Sequence, residues 1–274
     1  MPRRVSFSEP TKPQSEQMNG PTKATSIKTT APKCRVTIQR PPATSISTID
    51  NPGLPRGNAA ISADKPHGDA DWLKRYGEYT PLQQHILFWD RDHDGQIYPW
   101  DTYRGFRELG FNILFSILAM LIINLNFSYP TRLAHSFIPD PFFRVYVDSI
   151  YKAKHGSDSG TYDSEGRFVP QSFENLFAMY DRDGDGALTF WEVGRLMHGH
   201  RCAVDPFGWF AALFEWGTTW LLIQREGRIE KEDLRGVYDG SLFWKVREER
   251  LSGSGWKQGF GLGGDGFIGP VKVF

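Results

Sequence analysis

Residues 90–101, DRDHDGQIYPWD, and 181–192, DRDGDGALTFWE, repeat one twelve-residue pattern. Acidic side chains stand at positions 1, 3 and 5, glycine at 6, an apolar residue at 8 and a carboxylate at 12. Three carboxylates on alternate residues repel one another unless a cation lies between them, and the glycine permits the sharp turn that lets them converge. Such a loop needs a helix on either side and a short β-bridge through position 8, so few folds remain open to the chain. The spacing predicts EF-hand-type helix-loop-helix units. Ca²⁺ ligands then fall on Asp90, Asp92, Asp94, the Gln96 carbonyl and Asp101 in the first loop, with Tyr98 at position 9. In the second they fall on Asp181, Asp183, Asp185, the Ala187 carbonyl and Glu192, with Thr189 at position 9. The shorter Asp101 reaches an ion with both oxygens less easily than a glutamate, which weakens Ca²⁺ and makes Mg²⁺ more competitive there.

Loops of this kind work in pairs. Two stretches, 161–172 (TYDSEGRFVPQS) and 222–233 (LIQREGRIEKED), keep the glycine and the apolar position 8 but too few ligands. They are expected to pair structurally, without metal.

Only a few residues after the first loop, Leu109 to Thr131 carries no charge. A helix of about 20 apolar residues spans a bilayer core. A full crossing would put the two acidic loops on opposite sides of the membrane. Pro130, Pro139 and Pro141 follow closely and can turn the chain, so a membrane-embedded hydrophobic hairpin over 109–141, returning to the same side, fits both facts.

The flanks differ in character. Residues 1–70 hold ten of the eighteen prolines and a single aromatic, Phe7, and are expected to form a disordered tail. Residues 252–274 are Gly-rich and expected to be flexible. The fold class is therefore mainly α. A first EF-hand region covers 71–108, the hairpin 109–141, and a helical domain with the second loop 142–251. Within the folded part, 71–251, PLQQHILFW (81–89) and PFFRVYVDSIYKAKH (141–155) read as amphipathic helices, and DPFGWFAALFEWGTTWLLI (205–223) as a helix apolar all round but for Glu215. That last helix suits a deep core or a membrane interface. Formal net charge is zero, which gives no bulk attraction to nucleic acid. The two cysteines, Cys34 and Cys202, lie far apart and suggest no disulfide framework. No nucleophile motif or phosphate loop stands out, and homo-oligomerisation stays open.

In their order these features resemble the caleosins, calcium-binding lipid-droplet proteins also called peroxygenases. The resemblance rests on PLQQHILFWDRDHDGQIYPWDTYRGFRELGFN, the apolar stretch, IPDPFFRVYVDSIYKAKHGSDSGTYDSEGRFVP and DPFGWFAALFEWG with VYDGSLFWKV, roughly residues 75–247. It implies a peroxygenase that uses hydroperoxides to epoxidise unsaturated fatty acids, on lipid droplets and the endoplasmic reticulum, with the bulk of the chain on the cytosolic side. It also implies haem b linked to His85 and His155. The chain lacks Cys-x-x-Cys-His, so that haem is non-covalent. Which histidine is axial stays open. The resemblance also covers an alternative, a non-catalytic, calcium-binding coat protein of lipid droplets. Asp101 in place of glutamate, the complete second loop and a sparser proline knot depart from the common pattern, and the long tail with two loops leans towards a fungal type.

Overall fold

The computed structural model describes residues 59–252. Most of the expected disordered tail and of the Gly-rich end therefore lie outside the described residues. The folded part begins earlier than residue 71, however: Ala60, Ile61 and Ser62 are buried, and the Ala60 carbonyl accepts from Arg235 at 3.0 Å.

The described chain is mainly helical, as expected. Nine α-helices run in the order α1 (Ala70–Tyr76), α2 (Pro81–Ile86), α3 (Pro99–Leu109), α4 (Ile113–Arg132), α5 (Pro170–Tyr180), α6 (Phe190–His200), α7 (Pro206–Ile223), α8 (Lys231–Asp239) and α9 (Ser241–Leu251). Their starts follow from sequence. Thr80 and Gln83 form a capping box at α2, Thr189 and Glu192 another at α6, and Asp205 caps α7 through the Gly208 amide. The core is aromatic, with Phe88, Trp89, Phe106, Phe111 and Phe243 buried in one cluster around α2, α3 and α9. Each contributes about 2–3 kcal/mol by leaving water.

Two short antiparallel ladders tie the loops down. Strand β1 (Gln96–Ile97) pairs with β2 (Val145–Tyr146), and β3 (Ala187–Thr189) pairs with β4 (Arg228–Glu230). Leu188 faces Ile229, so 222–233 partners the second acidic loop through position 8, as expected. The first loop does not pair with 161–172. That segment closes on itself through a Tyr162–Phe168 bridge, with Asp163 held by the Arg167 guanidinium at 2.7 Å and by the amides of Glu165 and Arg167. Its own arginine fills the place a ligand set would face.

Residues 141–155 also depart from expectation. They form no continuous α-helix but β2 followed by a 3₁₀ helix (Val147–Ala153), kinked at Ser149. Val145 and Val147 favour extended backbone, and the ladder to β1 claims 145–146 first. The helix stops at Ala153.

The charge-free stretch is one helix, α4, which runs through Pro130. Pro130 sits two residues from the end and removes only its own N–H donor to the Asn126 carbonyl, while the Thr131 hydroxyl donates to the Phe127 and Ser128 carbonyls at 2.8 and 3.1 Å. The chain does turn back, across 133–144, but the returning arm is β2 and the 3₁₀ helix rather than a second apolar limb. Helix α4 is long and apolar enough to cross a membrane. Its faces are inverted relative to a helix of a water-soluble domain. Inward it buries Ser116, Ala119, Asn124, Ser128 and Thr131, with Asn124 donating to the carbonyls of Ile97 and Phe143. Outward it exposes Leu114, Ile117, Leu118, Leu121 and Leu125.

The turn after α4 is pinned by Asp140, whose side chain is fully buried. Burial alone would raise its pKa. Hydrogen bonds from Arg144 at 2.6 Å, the Phe142 amide at 2.9 Å and the Tyr146 hydroxyl at 2.8 Å outweigh that and hold it at about 2, against an ordinary 3.8. The depressed value stabilises the fold above pH 3.8 and is lost as pH falls towards 2. The loss amounts to about 2 kcal/mol. Acid titration of unfolding is expected to show it, and Asp140→Asn to abolish that part of the pH dependence.

Candidate functional site: a histidine-lined cavity and two acidic loops

A largely apolar cavity of about 270 Å³ lies between α2, α4, α7 and α8. His85 and His155, seventy residues apart in sequence, both line it. His85 comes from the last turn of α2, on the stripe shared with Leu82, Ile86 and Trp89, and packs edge-on against Phe243 at 5.2 Å. Its Nδ1 lies 2.6 Å from the Val237 carbonyl. A carbonyl only accepts, so Nδ1 carries the proton and Nε2 keeps its lone pair. Burial lowers the pKa of His85, the Val237 bond and the Glu215 charge opposing without overcoming it, so the ring is neutral.

His155 follows the 3₁₀ helix, and its side chain is almost wholly buried. Nε2 lies 3.4 Å from Oε1 of Glu215, while Nδ1 is buried with no hydrogen-bond partner. Burial works to lower its pKa, but the Glu215 hydrogen bond and charge outweigh burial and raise it. The two rings thus differ in electrostatic character within one cavity. Two tyrosines are part of the polar lining, Tyr162 donating to the Tyr238 carbonyl and the Tyr238 hydroxyl meeting Ser159 at 2.8 Å. Burial pushes Tyr238 up to about 12.

Both acidic loops converge as the spacing requires. Carboxylate oxygens of Asp90, Asp92 and Asp94 lie within 4.8 Å of one another, and so do those of Asp181, Asp183 and Asp185. Asp90 is buried; its Oδ2 accepts from the Gly95 amide at 3.1 Å, but its Oδ1 has no partner. Burial raises its pKa, the cost of a carboxylate awaiting a counter-charge. An orphaned acidic oxygen beside two further carboxylates suits a hard divalent cation. Gln96 lies in β1 and Ala187 in β3. The carboxylates at position 12 stand outside the clusters. Asp101 accepts from the Tyr98 amide at 3.0 Å, and Glu192 from Arg182, Thr189 and the Thr189 hydroxyl. Arg228 pairs with Asp185 across the β3–β4 ladder.

A family model described as "Caleosin related protein" matches residues 77–247. The chain belongs to the caleosin family. This caleosin is similar to a protein of Lilium longiflorum named "Peroxygenase", 37% identical over 229 residues, 83% of this chain and 94% of that one. It is similar to "Probable peroxygenase 4" of Arabidopsis thaliana, 40% identical over 172 residues, 62% of this chain and 87% of that one. A "Probable inactive peroxygenase-like protein" of the same plant is 32% identical over 153 residues, 55% of this caleosin and 72% of its own length. No solved structure matches.

Sequence reasoning named both histidines but missed what surrounds them. Glu215 was legible as the single charge in an 18-residue apolar helix, a position few sequences leave ionisable without reason. The Val237 carbonyl and Tyr238 were not, because nothing local brings α8 against α2.

Proposed function

We propose that this caleosin is a hydroperoxide-dependent peroxygenase that oxygenates unsaturated fatty acids at a lipid surface. One observation carries the reading: two distant histidines share one apolar cavity, one with a free Nε2 lone pair and the other with a buried, partnerless Nδ1. Family membership and relatives named as peroxygenases support it.

The donor set fits a non-covalent haem b. A ligating imidazole commonly donates its second nitrogen to a carbonyl, as His85 does to Val237. Held by these histidines, a haem would supply the chemistry of oxygen-atom transfer, by which a hydroperoxide is reduced to its alcohol and a carbon–carbon double bond becomes an epoxide. The protein's part is to position and protect. The Val237 bond fixes the His85 tautomer and ring plane. Glu215 orients His155 and favours its protonated form, placing a proton donor in the cavity. Apolar walls receive an acyl chain and exclude water.

Ca²⁺ in the two loops is read as structural. Asp90 follows His85 by five residues and would fix the end of α2 when its oxygen is coordinated. Asp90→Asn is expected to weaken divalent-ion binding at the first loop by about a hundredfold, measured by titration calorimetry. The setting is the cytosolic face of lipid droplets or the endoplasmic reticulum, with the outward leucines of α4 in the lipid.

The test is the visible spectrum of the purified protein in detergent, with Ca²⁺ and after chelation, alongside hydroperoxide-dependent epoxidation of an unsaturated fatty acid. A Soret band and epoxide are expected. A protein colourless even after added haem sinks the enzyme reading in favour of a droplet coat protein.

A further inference from the structure

We propose that α7 is a second lipid-contacting element, and that the cleft between α4 and α7 is the door by which an unsaturated acyl chain passes from the lipid into the cavity. The proposal rests on the peroxygenase reading for its substrate class, but its geometry stands apart.

The two helices meet at Phe115 and Phe214, whose rings stack with centroids 6.1 Å apart and planes 13° from parallel. Their inner sides line the cavity, through Ile123 and Phe127 from α4 and Phe214 from α7. Their outer sides are apolar and uncovered. Helix α4 shows Leu118, Leu121 and Leu125, and α7 shows Leu213, 59% exposed. Two residues belong to both surfaces. Phe207 and Phe210 line the cavity and yet are 42% and 51% exposed, so the cavity wall at this point is also the outer face of the molecule. An acyl chain crossing there would meet the two phenyl rings, with the Glu215 carboxylate beside them tied to His155.

The occupant is lipid rather than a second copy of the chain or another protein. From Pro206 to Ile223 the only charge is Glu215, whose half-exposed carboxylate is held against the imidazole of His155, and α4 carries none before Arg132. Protein interfaces ring an apolar centre with hydrogen-bonding groups. These helix faces offer almost none, which a hydrocarbon phase tolerates. Near the start of α7 the Trp209 indole donates to the Cys202 carbonyl at 2.7 Å, and Arg201 lies over its ring at 5.4 Å. A half-exposed tryptophan topped by a cation suits the boundary between hydrocarbon and headgroups. Entry from the lipid side also spares the chain a passage through water, which costs about 0.8 kcal/mol for every methylene.

The full chain, with Cys34→Ser and Cys202→Ser, is labelled with an environment-sensitive dye at Leu118→Cys, Leu213→Cys or Glu248→Cys and mixed with dioleoylphosphatidylcholine vesicles or a phospholipid-coated triacylglycerol emulsion. Labels at 118 and 213 are expected to shift blue and be quenched by acyl-brominated lipid, while 248 stays wet. Quenching at 118 alone takes α7 off the membrane and overturns the proposal. A blue shift at 213 without lipid quenching, accompanied by cross-linked dimers, assigns the face to a second copy and also overturns it. The door is read by transfer of the fluorescent polyene cis-parinaric acid, detected by energy transfer from tryptophan, so no catalysis is needed. Leu213→Asp is expected to slow uptake from vesicles roughly tenfold and to leave uptake from water unchanged, since one large apolar contact is worth about that factor. Equal slowing from both sources, or none from vesicles, refutes the door. Should transfer behave as expected while no acceptor is oxygenated, the peroxygenase reading falls and this one stands.

Discussion

His85→Ala is expected to remove the haem absorbance and hydroperoxide-dependent oxygenation altogether, while the variant still floats with lipid. The side chain offers the cavity a neutral imidazole whose tautomer is set by Val237, and no other residue described there presents a nitrogen lone pair in that way. Removing it also leaves the Val237 carbonyl without that donor and a void beside Phe243, at a cost of about 2–3 kcal/mol. A mere stability loss would mimic the activity loss, so the decisive readout is rescue. Free imidazole at millimolar concentration is expected to refill the void and restore the Soret band. His155→Ala is expected to abolish oxygenation too, but imidazole there lacks the Glu215-anchored orientation, and rescue is expected to be weaker. Full activity in both variants would refute the site assignment.

The second large effect comes from a residue that never touches the cavity. Gly240 joins α8 to α9 at φ +78°, and a Cβ there would lie 2.5 Å from the Gln84 carbonyl oxygen and 2.9 Å from the His85 Cα. Both contacts are backbone, which cannot swing aside. Gly240→Ala therefore combines an unfavourable backbone conformation with displacement of α2, and is expected to cost about 3 kcal/mol and lower the thermal midpoint by about 10 °C. Because the turn and the Val237 carbonyl share three residues of chain, the His85 hydrogen bond should be disturbed as well. Haem affinity is expected to fall further than stability alone predicts, which thermal melts and haem titration on the same sample will show. An unaltered melting curve would contradict the close approach.

Much of the architecture was legible because its signals are local. Alternate carboxylates, a glycine at position 6 and caps such as Asp205 and Thr189 specify their own loops and helix starts whatever lies elsewhere. The glycine and the apolar position 8 marked two candidate partner loops, of which 222–233 meets Leu188 through Ile229. What escaped was non-local. Residues 141–155 carry helical periodicity, yet Val145 and Tyr146 are claimed by β1, a partner nearly fifty residues upstream. Pro130 reads as a breaker, yet α4 runs on through it to Arg132. The burial of Ala60 depends on Arg235, whose guanidinium is neutralised by Asp239 at 2.7 Å on the same helix. The histidines were recognised through family resemblance; their tautomers required the carbonyl of Val237 and the carboxylate of Glu215, which only the folded chain brings near.

The ladders described above bear on how this protein would respond to a rising ion concentration. Neither acidic loop is bridged to the other; one leans on residues 145–146 and the other on 228–230. Filling one therefore does little to prepare the other. Where coupled loops give a steep threshold, these would give a graded dose response with two separate midpoints. The midpoint nearer the histidines would belong to the loop closed by Asp101. A cell would read such a molecule as a dimmer, not a switch.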